Sequence, residues 1–372
     1  MRILLATDAW EPQVNGVVRT LSRTVAECRA MGHEVEVVHP GLFKTAPLPT
    51  YPEIKLALGA YGPTQDFFKA FEPEAIHIST EGPIGLAARR ICMEWGLPFT
   101  TSYHTRFPEY VSARVPVLPV STGYSYMRWF HGPSGRVMVA TPTMRAELER
   151  RGFRNISPWA RGVDTEMFTP KAADAPPGPF AELARPVFLN VGRVAVEKNI
   201  EVFLGLDLPG TKVVVGDGPQ RKELEAKHPE AVFTGAKFGA DLTAAFADAD
   251  VFVFPSLTDT FGLVILEAMA CGTPVAAFPA PGPIDIIPGS ESGAVSEDLR
   301  QACLDCLPLD RAAVRAYAER FSWRASAEEF VRNLQPYPEP QKSRFWRRLR
   351  RLTRLRRRGG PLSPSRIRER RA

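Results

Sequence analysis

Short apolar runs recur along the chain, each ending in a turn of Gly, Asp, Thr or Pro and giving way to a stretch of helical spacing. Residues 2–7 make the first run and stop at Thr7-Asp8. The segment Glu11–Leu21 leads into a helix that ends at Met31 and is closed by Gly32, and Val35–His39 is the next strand. Strand, Gly-containing turn, helix, Gly, strand is a βαβ unit of Rossmann type, here without the G-x-G-x-x-G fingerprint. The alternation repeats with strands at Ala75–Ser79, Phe99–Tyr103 and Arg136–Ala140. It resumes at Phe188–Val191, Val213–Val215, Ala231–Gly235, Val251–Phe254 and Val275–Phe278. Between the two sets lies Lys171–Pro186, rich in Ala and Pro, which reads as a linker. Two α/β units are expected, with helices continuing to Leu334. The Pro- and aromatic-rich stretch Phe107–Phe130 is expected to be a long loop, either a lid or a packed connection.

One stretch carries more chemistry than the others, Phe254-Pro-Ser-Leu-Thr-Asp-Thr-Phe-Gly-Leu-Val-Ile-Leu-Glu-Ala-Met-Ala-Cys-Gly-Thr-Pro274. A strand ends, a polar turn follows, and a helix begins near Phe261–Gly262 and stops at Gly272. Thr258, Asp259 and Thr260 are its candidate N-caps. The first amides of this helix, at Phe261, Gly262, Leu263 and Val264, have no carbonyl partner within it and suit phosphate or sugar oxygens. Asp259 precedes the helix and Glu267 follows eight residues later, roughly 12 Å along the axis. A carboxylate at each end with bare amides between matches a nucleoside-diphosphate sugar. An ordinary amphipathic helix with a solvent-facing Glu is the competing reading.

Other candidates sit at strand ends, where ligands collect in open parallel sheets. Gly192 and Arg193 follow strand Phe188–Val191, and Lys198-Asn199 opens a helix. Two cations beside a helix N-terminus make a pocket for diphosphate. His104 lies just past Phe99–Tyr103 and points at the same expected cleft, with a loop-capping histidine as the alternative. His77, inside a strand, reads as core. Asn15-Gly16 marks the first βα turn. Asp248-Ala-Asp250 precedes its strand, at the amino end of the sheet, and reads as a connection rather than a metal site.

Composition narrows the class. With 372 residues, 44% of them hydrophobic, the chain can bury two domain cores. No apolar run approaches the ~20 residues that cross a bilayer. Five cysteines argue against a disulfide framework and for a reducing compartment. Cys303-x-x-Cys306 lacks a second pair for a zinc site. The net charge of +6 is uneven: residues 342–372 hold fourteen Lys or Arg and one Glu, a balance of +13, so residues 1–341 carry −7. Within Ser343–Leu355, Phe345, Leu349 and Leu352 fall at i, i+4 and i+7 among arginines. With Trp346 beside Phe345, this is the pattern of a basic amphipathic helix on an anionic membrane surface. A solubilising or nucleic-acid-binding tail is the alternative, and the aromatic residues favour lipid.

The Asp259-x₇-Glu267 pair and the Glu267-Ala-Met-Ala-x-Gly-x-Pro274 run resemble the carboxylate-x₇-carboxylate motif of retaining family-4 glycosyltransferases. Gly192-Arg193-x₄-Lys198-Asn199, Gly216-Asp-Gly-Pro219 and Gly162-Val-Asp-x-x-x-Phe168-x-Pro170 resemble that family too, from Arg2 to about Leu334. Asp259 departs from the family's usual Glu, which shortens the reach by one methylene.

The resemblance implies a GT-B fold, two Rossmann-like domains facing across a cleft. The expected segments are an acceptor-side domain at 1–168, a linker at 169–186, a nucleotide-sugar domain at 187–318, a helix crossing back at 319–335 and a basic tail at 336–372. It further implies that Glu267 holds the ribose and that Asp259 faces the transferred sugar. Arg193 and Lys198 would take the diphosphate, with the Gly16 backbone near the phosphates and His104 near acceptor or sugar. The implied reaction is metal-independent, retaining hexosyl transfer with no cofactor beyond the donor, GDP-mannose or a UDP-sugar. Ser102-Tyr-His-Thr and Arg161-Gly-Val-Asp lean toward the lipid glycosyltransferases, such as sulfoquinovosyl-diacylglycerol synthases and GDP-mannose-dependent α-mannosyltransferases. The expected acceptor is therefore a lipid or lipid-linked glycan, the partner surface an anionic membrane met through residues 342–358, and the location cytoplasmic, on the inner face of the cell membrane. No nucleic-acid partner is expected. A nucleotide-sugar epimerase of the same fold, a transferase for soluble or polysaccharide acceptors and a catalytically silent binding protein are the alternatives.

Overall fold

The structure is a computed structural model describing residues 1–13, 15–48, 51–114, 119–172, 174–287, 291–337 and 346. The first unit runs β1 (Arg2–Ala6), α1 (Gly16–Ala30), β2 (Glu34–Val38), β3 (Thr45–Leu48), β4 (Tyr51–Ala57), α2 (Tyr61–Phe71) and β5 (Ala75–Ile78). It continues with α3 (Pro83–Trp95), β6 (Thr100–Ser102), α4 (Phe107–Arg114), α5 (Val120–His131), β7 (Arg136–Val139), α6 (Pro142–Arg150) and β8 (Ile156–Pro158). Its sheet has the order β2-β1-β5-β6-β7-β8, parallel throughout, with β3–β4 as a separate antiparallel hairpin. The central strands are buried on both faces, as crossover helices require, and so read as unbroken apolar runs.

The second unit repeats the plan: β9 (Val187–Val191), α7 (Ile200–Leu204), β10 (Thr211–Val215), α8 (Arg221–Lys227), β11 (Val232–Gly235), α9 (Gly239–Asp248) and β12 (Val251–Phe254). Then come α10 (Leu263–Ala270), β13 (Val275–Ala277), α11 (Pro283–Ile286), β14 (Gly293–Val295), α12 (Leu299–Cys306), α13 (Arg311–Ala318) and α14 (Trp323–Asn333). Its six parallel strands lie in the order β11-β10-β9-β12-β13-β14.

The last helix, α14, packs on the first unit. Ser322 caps α14 by accepting from the amides of Arg324 and Ala325, and Ala327, Phe330 and Leu334 fall on one face at helical spacing. That face packs with Leu5, Leu21 and Trp159 in the core of the first unit. Glu329 accepts from the Ala160 amide at 2.6 Å, and Asn333 donates to the Pro158 carbonyl at 2.6 Å.

Three segments bear on the sequence expectations, and the first overturns one. Phe107–Phe130 is not a loop but two packed helices, α4 and α5; Tyr124 and Met127 of α5 are buried with Tyr103 and Phe153. The Pro-rich stretch hid an aromatic face with helical spacing. The linker is also no free tether, because Phe180 is buried in the core of the second unit and its amide donates to Asp248 at 2.7 Å. Asp248 and Asp250 are both engaged by Arg185, at 3.2 and 2.9 Å, which fits their reading as a connection. Third, the tail segment 342–358 lies outside the described residues except for Trp346. Its indole is buried against α2 and α3 and meets the Trp95 ring edge-on, with ring centroids 6.2 Å apart, rather than facing outward toward lipid. All five cysteines are buried free thiols; Cys303 and Cys306 line the core beneath α12, and burial pushes the Cys306 thiol up to about 12. Among the described residues no helix is long and apolar enough to cross a membrane.

Candidate functional site

The site is built where the loop after β9 meets the loop after β12. The Glu197 carbonyl accepts from Ser256 Oγ at 3.3 Å and Thr258 Oγ1 at 3.1 Å, and Asn199 donates to the Pro255 carbonyl at 3.1 Å. These bonds hold Lys198 over the second loop. Its Nζ lies 2.6 and 2.9 Å from the two Asp259 carboxylate oxygens. Arg193, half-buried, leaves the same strand end one residue past Gly192. Two motifs some 60 residues apart in sequence thus form one wall.

That wall leads to the start of α10. The expected N-caps do not cap it: Thr258 serves the Glu197 carbonyl, Asp259 takes Lys198, and Thr260 donates to the His104 carbonyl of the first unit at 2.6 Å. The cap residue is Gly262, at φ +87°, with no side-chain bond. A side-chain cap would have occupied an amide that an anionic ligand can use instead; here Leu263 and Val264 open the helix half-exposed. Phe261 turns inward to the core. The Pro279–Pro283 loop braces this turn from behind. Gly282 sits at φ +95°, where an added Cβ would stand 2.5 Å from the Phe261 carbonyl oxygen. Gly282→Ala is expected to cost about 1–3 kcal/mol of stability by forcing that turn. Denaturant unfolding of wild type and variant checks it, and an unchanged midpoint would show the turn to be compliant.

Glu267, a little over one helical turn further along α10, is 3% exposed. Its Oε1 accepts from Arg19 of α1, across the cleft, while Oε2 is buried without a hydrogen-bond partner. Burial pushes this carboxyl above the usual range, opposed by the positive charge of Arg19. Nothing local in the sequence singles out Arg19, whose partner lies 248 positions away. Its place three residues after Gly16 puts it on the helix face that Gly16 turns to α10; a Cβ on Gly16 would lie 3.8 Å from Leu263 Cδ1. Asn15 caps α1 by accepting from Val18 at 3.0 Å. The N-termini of α1 and α10 therefore face each other, both presenting first-turn amides.

His104 follows β6, as expected, and is half-buried beside the ring of Trp159. Its Nε2 lies 2.8 Å from Ser102 Oγ and its Nδ1 3.4 Å from Arg161 Nη2. Burial, then the Arg161 charge, hold its imidazole well below the usual range, so it is neutral at neutral pH. Arg161 is buried against the Trp159 face with its guanidinium on main-chain carbonyls, and burial lowers it to about 9. Its residue type was legible in Arg161-Gly-Val-Asp, but its approach to His104 was not. His77 is core: both ring nitrogens are bonded to hydroxyls and burial lowers it to about 3.

The chain as a whole is similar to known proteins. A model described as Glycosyltransferase Family 4 matches residues 14–167, and one described as Glycosyl transferases group 1 matches 185–307. A GDP-mannose-dependent alpha-mannosyltransferase of Mycobacterium tuberculosis is 30% identical over 321 residues, 79% of this chain and 83% of that protein. The sulfoquinovosyl transferase SQD2 of Arabidopsis thaliana is 30% identical over 360 residues, 87% and 70% of the two chains. Among solved structures, a sucrose-phosphate synthase from Thermosynechococcus elongatus aligns with a TM-score of 0.71 at 20% identity, covering 89% of this chain and 97% of that one. Anabaena HepE, solved in complex with UDP and glucose, aligns at 0.67 and 16% identity, covering 89% and 98%. The paired parallel sheets are those of the GT-B fold.

Proposed function

This chain belongs to glycosyltransferase family 4, and from that premise we propose that it moves a hexose from GDP-mannose or a UDP-sugar to a membrane lipid or lipid-linked glycan, with retention and without a metal. The observation that carries the reading is the joining of Lys198, Asp259, the α10 N-terminus and buried Glu267 along one cleft wall. The relatives named for GDP-mannose-dependent mannosyl transfer and for sulfoquinovosyl transfer support the class of reaction, and an alpha-monoglucosyldiacylglycerol synthase of Streptococcus pneumoniae at 25% identity supports a lipid acceptor.

As the anomeric carbon–oxygen bond breaks, negative charge grows on the departing diphosphate. Lys198, Arg193 and the amides of Leu263 and Val264 stabilise it, each contributing on the order of 3 kcal/mol to the barrier. The departing phosphate oxygen, held on the same face as the incoming hydroxyl, takes the acceptor's proton, which gives retention. Glu267 anchors the ribose through its open Oε2. The proposed setting is the inner face of the cell membrane, met as a peripheral protein.

The test supplies radiolabelled GDP-mannose and UDP-glucose separately, with and without vesicles of anionic phospholipid and diacylglycerol. Label entering the organic phase only with vesicles is expected from one donor. Free or altered nucleotide sugar without acceptor would instead indicate the epimerase, and label in soluble glycan alone would remove the lipid.

A further inference from the structure

Five polar side chains form an unbroken line from the interior of the first unit to the cleft. Thr100 Oγ1 lies 2.9 Å from His77 Nδ1, His77 Nε2 lies 3.2 Å from Ser102 Oγ, and Ser102 Oγ lies 2.8 Å from His104 Nε2. At the cleft end Arg161 Nη2 lies 3.4 Å from His104 Nδ1. Thr100, Ser102 and His77 are fully buried.

Proton placement along this line follows from its end. A guanidinium only donates, so His104 Nδ1 must accept and the ring proton sits on Nε2. Nε2–H then donates to Ser102 Oγ. The single Ser102 proton is left for His77 Nε2 at 3.2 Å or the Ser79 carbonyl at 3.5 Å, and the shorter bond directs it to His77. His77 then carries its proton on Nδ1 and donates to Thr100, whose hydroxyl turns to the Ile76 carbonyl at 3.4 Å. Every donor finds an acceptor, in one direction.

We propose that Ser102 and His77 are positioning residues which, with Arg161, fix His104 as a neutral imidazole in its Nε2–H tautomer. Its Nδ1 lone pair is thereby kept unprotonated, and there a hydroxyl of the transferred sugar or acceptor can take the place of Arg161 as donor. On this view His104 exchanges no proton in the reaction, although its place beside the cleft suggests a general base. The inference rests on the transferase reading only for the identity of that hydroxyl. The charged and titratable groups around His104 come from several elements: Arg161 beyond β8, His77 on β5 and His131 on α5, with Glu329 of α14 acting on Arg161. The cation and the buried rings all oppose protonation. Thr260, reaching from the second unit to the His104 carbonyl, fixes the backbone as well.

The test reads the histidines directly. Full-length protein labelled with nitrogen-15 in its six histidines is titrated from about pH 5 to 8, following the two-bond ring couplings that report tautomer and charge. In wild type, His104 is expected as the Nε2–H form, with no titration near about 6.5. Ser102→Ala should mix its tautomers, and Arg161→Met, which removes the charge but leaves the larger effect of burial, should raise its titration point only in part. His131, held by Thr101 and Glu81, serves as the folding control, and Ser102→Thr should restore the wild-type tautomer. In transfer assays Ser102→Ala should lower kcat on the order of 10-fold with little change in donor KM. A wild-type His104 that titrates near its ordinary value or bears its proton on Nδ1 overturns the proposal, as does a Ser102→Ala protein with unaltered tautomer and kcat. The spectra stand even if neither sugar donor is used, so failure of the transferase reading is seen separately.

Discussion

Lys198→Ala is expected to lower kcat by about 10²- to 10³-fold while leaving the melting temperature nearly unchanged. The two effects part because Lys198 does two jobs of unequal weight. Its bond to Asp259 joins side chains 26% and 19% exposed, and a pair this wet contributes about 0–1 kcal/mol to folding. A cation aimed at a departing diphosphate is a different matter, since losing one preorganised donor costs roughly 3–4 kcal/mol of barrier. Asp259→Asn separates the roles further. It removes one negative charge from the wall while keeping the cation, so the donor should bind at least as well and any loss should fall on the sugar-transfer step. If Lys198 serves mainly to neutralise Asp259, the two variants will be equally impaired and the double variant no worse. Initial rates with labelled donor, beside calorimetric melts, decide between these outcomes. Wild-type turnover in a folded Lys198→Ala protein would falsify the diphosphate assignment.

Much of this wall was legible because its parts are local. A strand end, a turn and a helix start lie within a dozen residues, so Asp259 and Glu267 declare their spacing in the sequence. Arg193 and Lys198 likewise sit at a strand end and in the short turn after it. The contacts that the sequence hid are long-range. Arg19 and Glu267 are 248 positions apart, and no periodicity relates an exposed-looking arginine on α1 to a buried acid on α10. Thr260 looked like an N-cap because the local pattern offers no other partner; the His104 carbonyl, 156 positions away, won it. Trp346 shows the same limit. Among arginines an aromatic stripe suggests a lipid surface, yet this indole finds its apolar partner in Trp95. The α4–α5 pair is hidden for another reason: Pro108 and Pro119 mark helix starts, where proline is tolerated, yet in sequence alone they read as loop signals.

Arg19→Leu is expected to weaken stability and nucleotide binding with opposite dependence on pH, and the opposition is the useful part. In wild type the guanidinium opposes, in a nearly dry place, the larger upward push that burial exerts on the Glu267 carboxyl. Without it the folded-state pKa of Glu267 rises further above the unfolded value. A carboxyl with a raised folded pKa contributes stability that is whole below the unfolded pKa and is lost as pH climbs through the folded one. The variant should therefore be near wild type in acid and fall behind as pH rises above the ordinary carboxylate range, by about 2–3 kcal/mol at most, because Arg19 is itself partly wet. Binding should move the other way. A ribose hydroxyl gains most from a charged acceptor, about 1.5–3 kcal/mol against roughly half that for a neutral one. Affinity for GDP or UDP should thus drop about 10-fold at an acidic pH, where the acid is protonated, and recover at an alkaline one. Adding Glu267→Gln should erase the pH dependence of stability and keep binding weak throughout. Urea melts and titration calorimetry at the two pH values read both quantities on the same samples. If stability and affinity of Arg19→Leu shift in the same direction with pH, Arg19 acts through something other than the charge on Glu267.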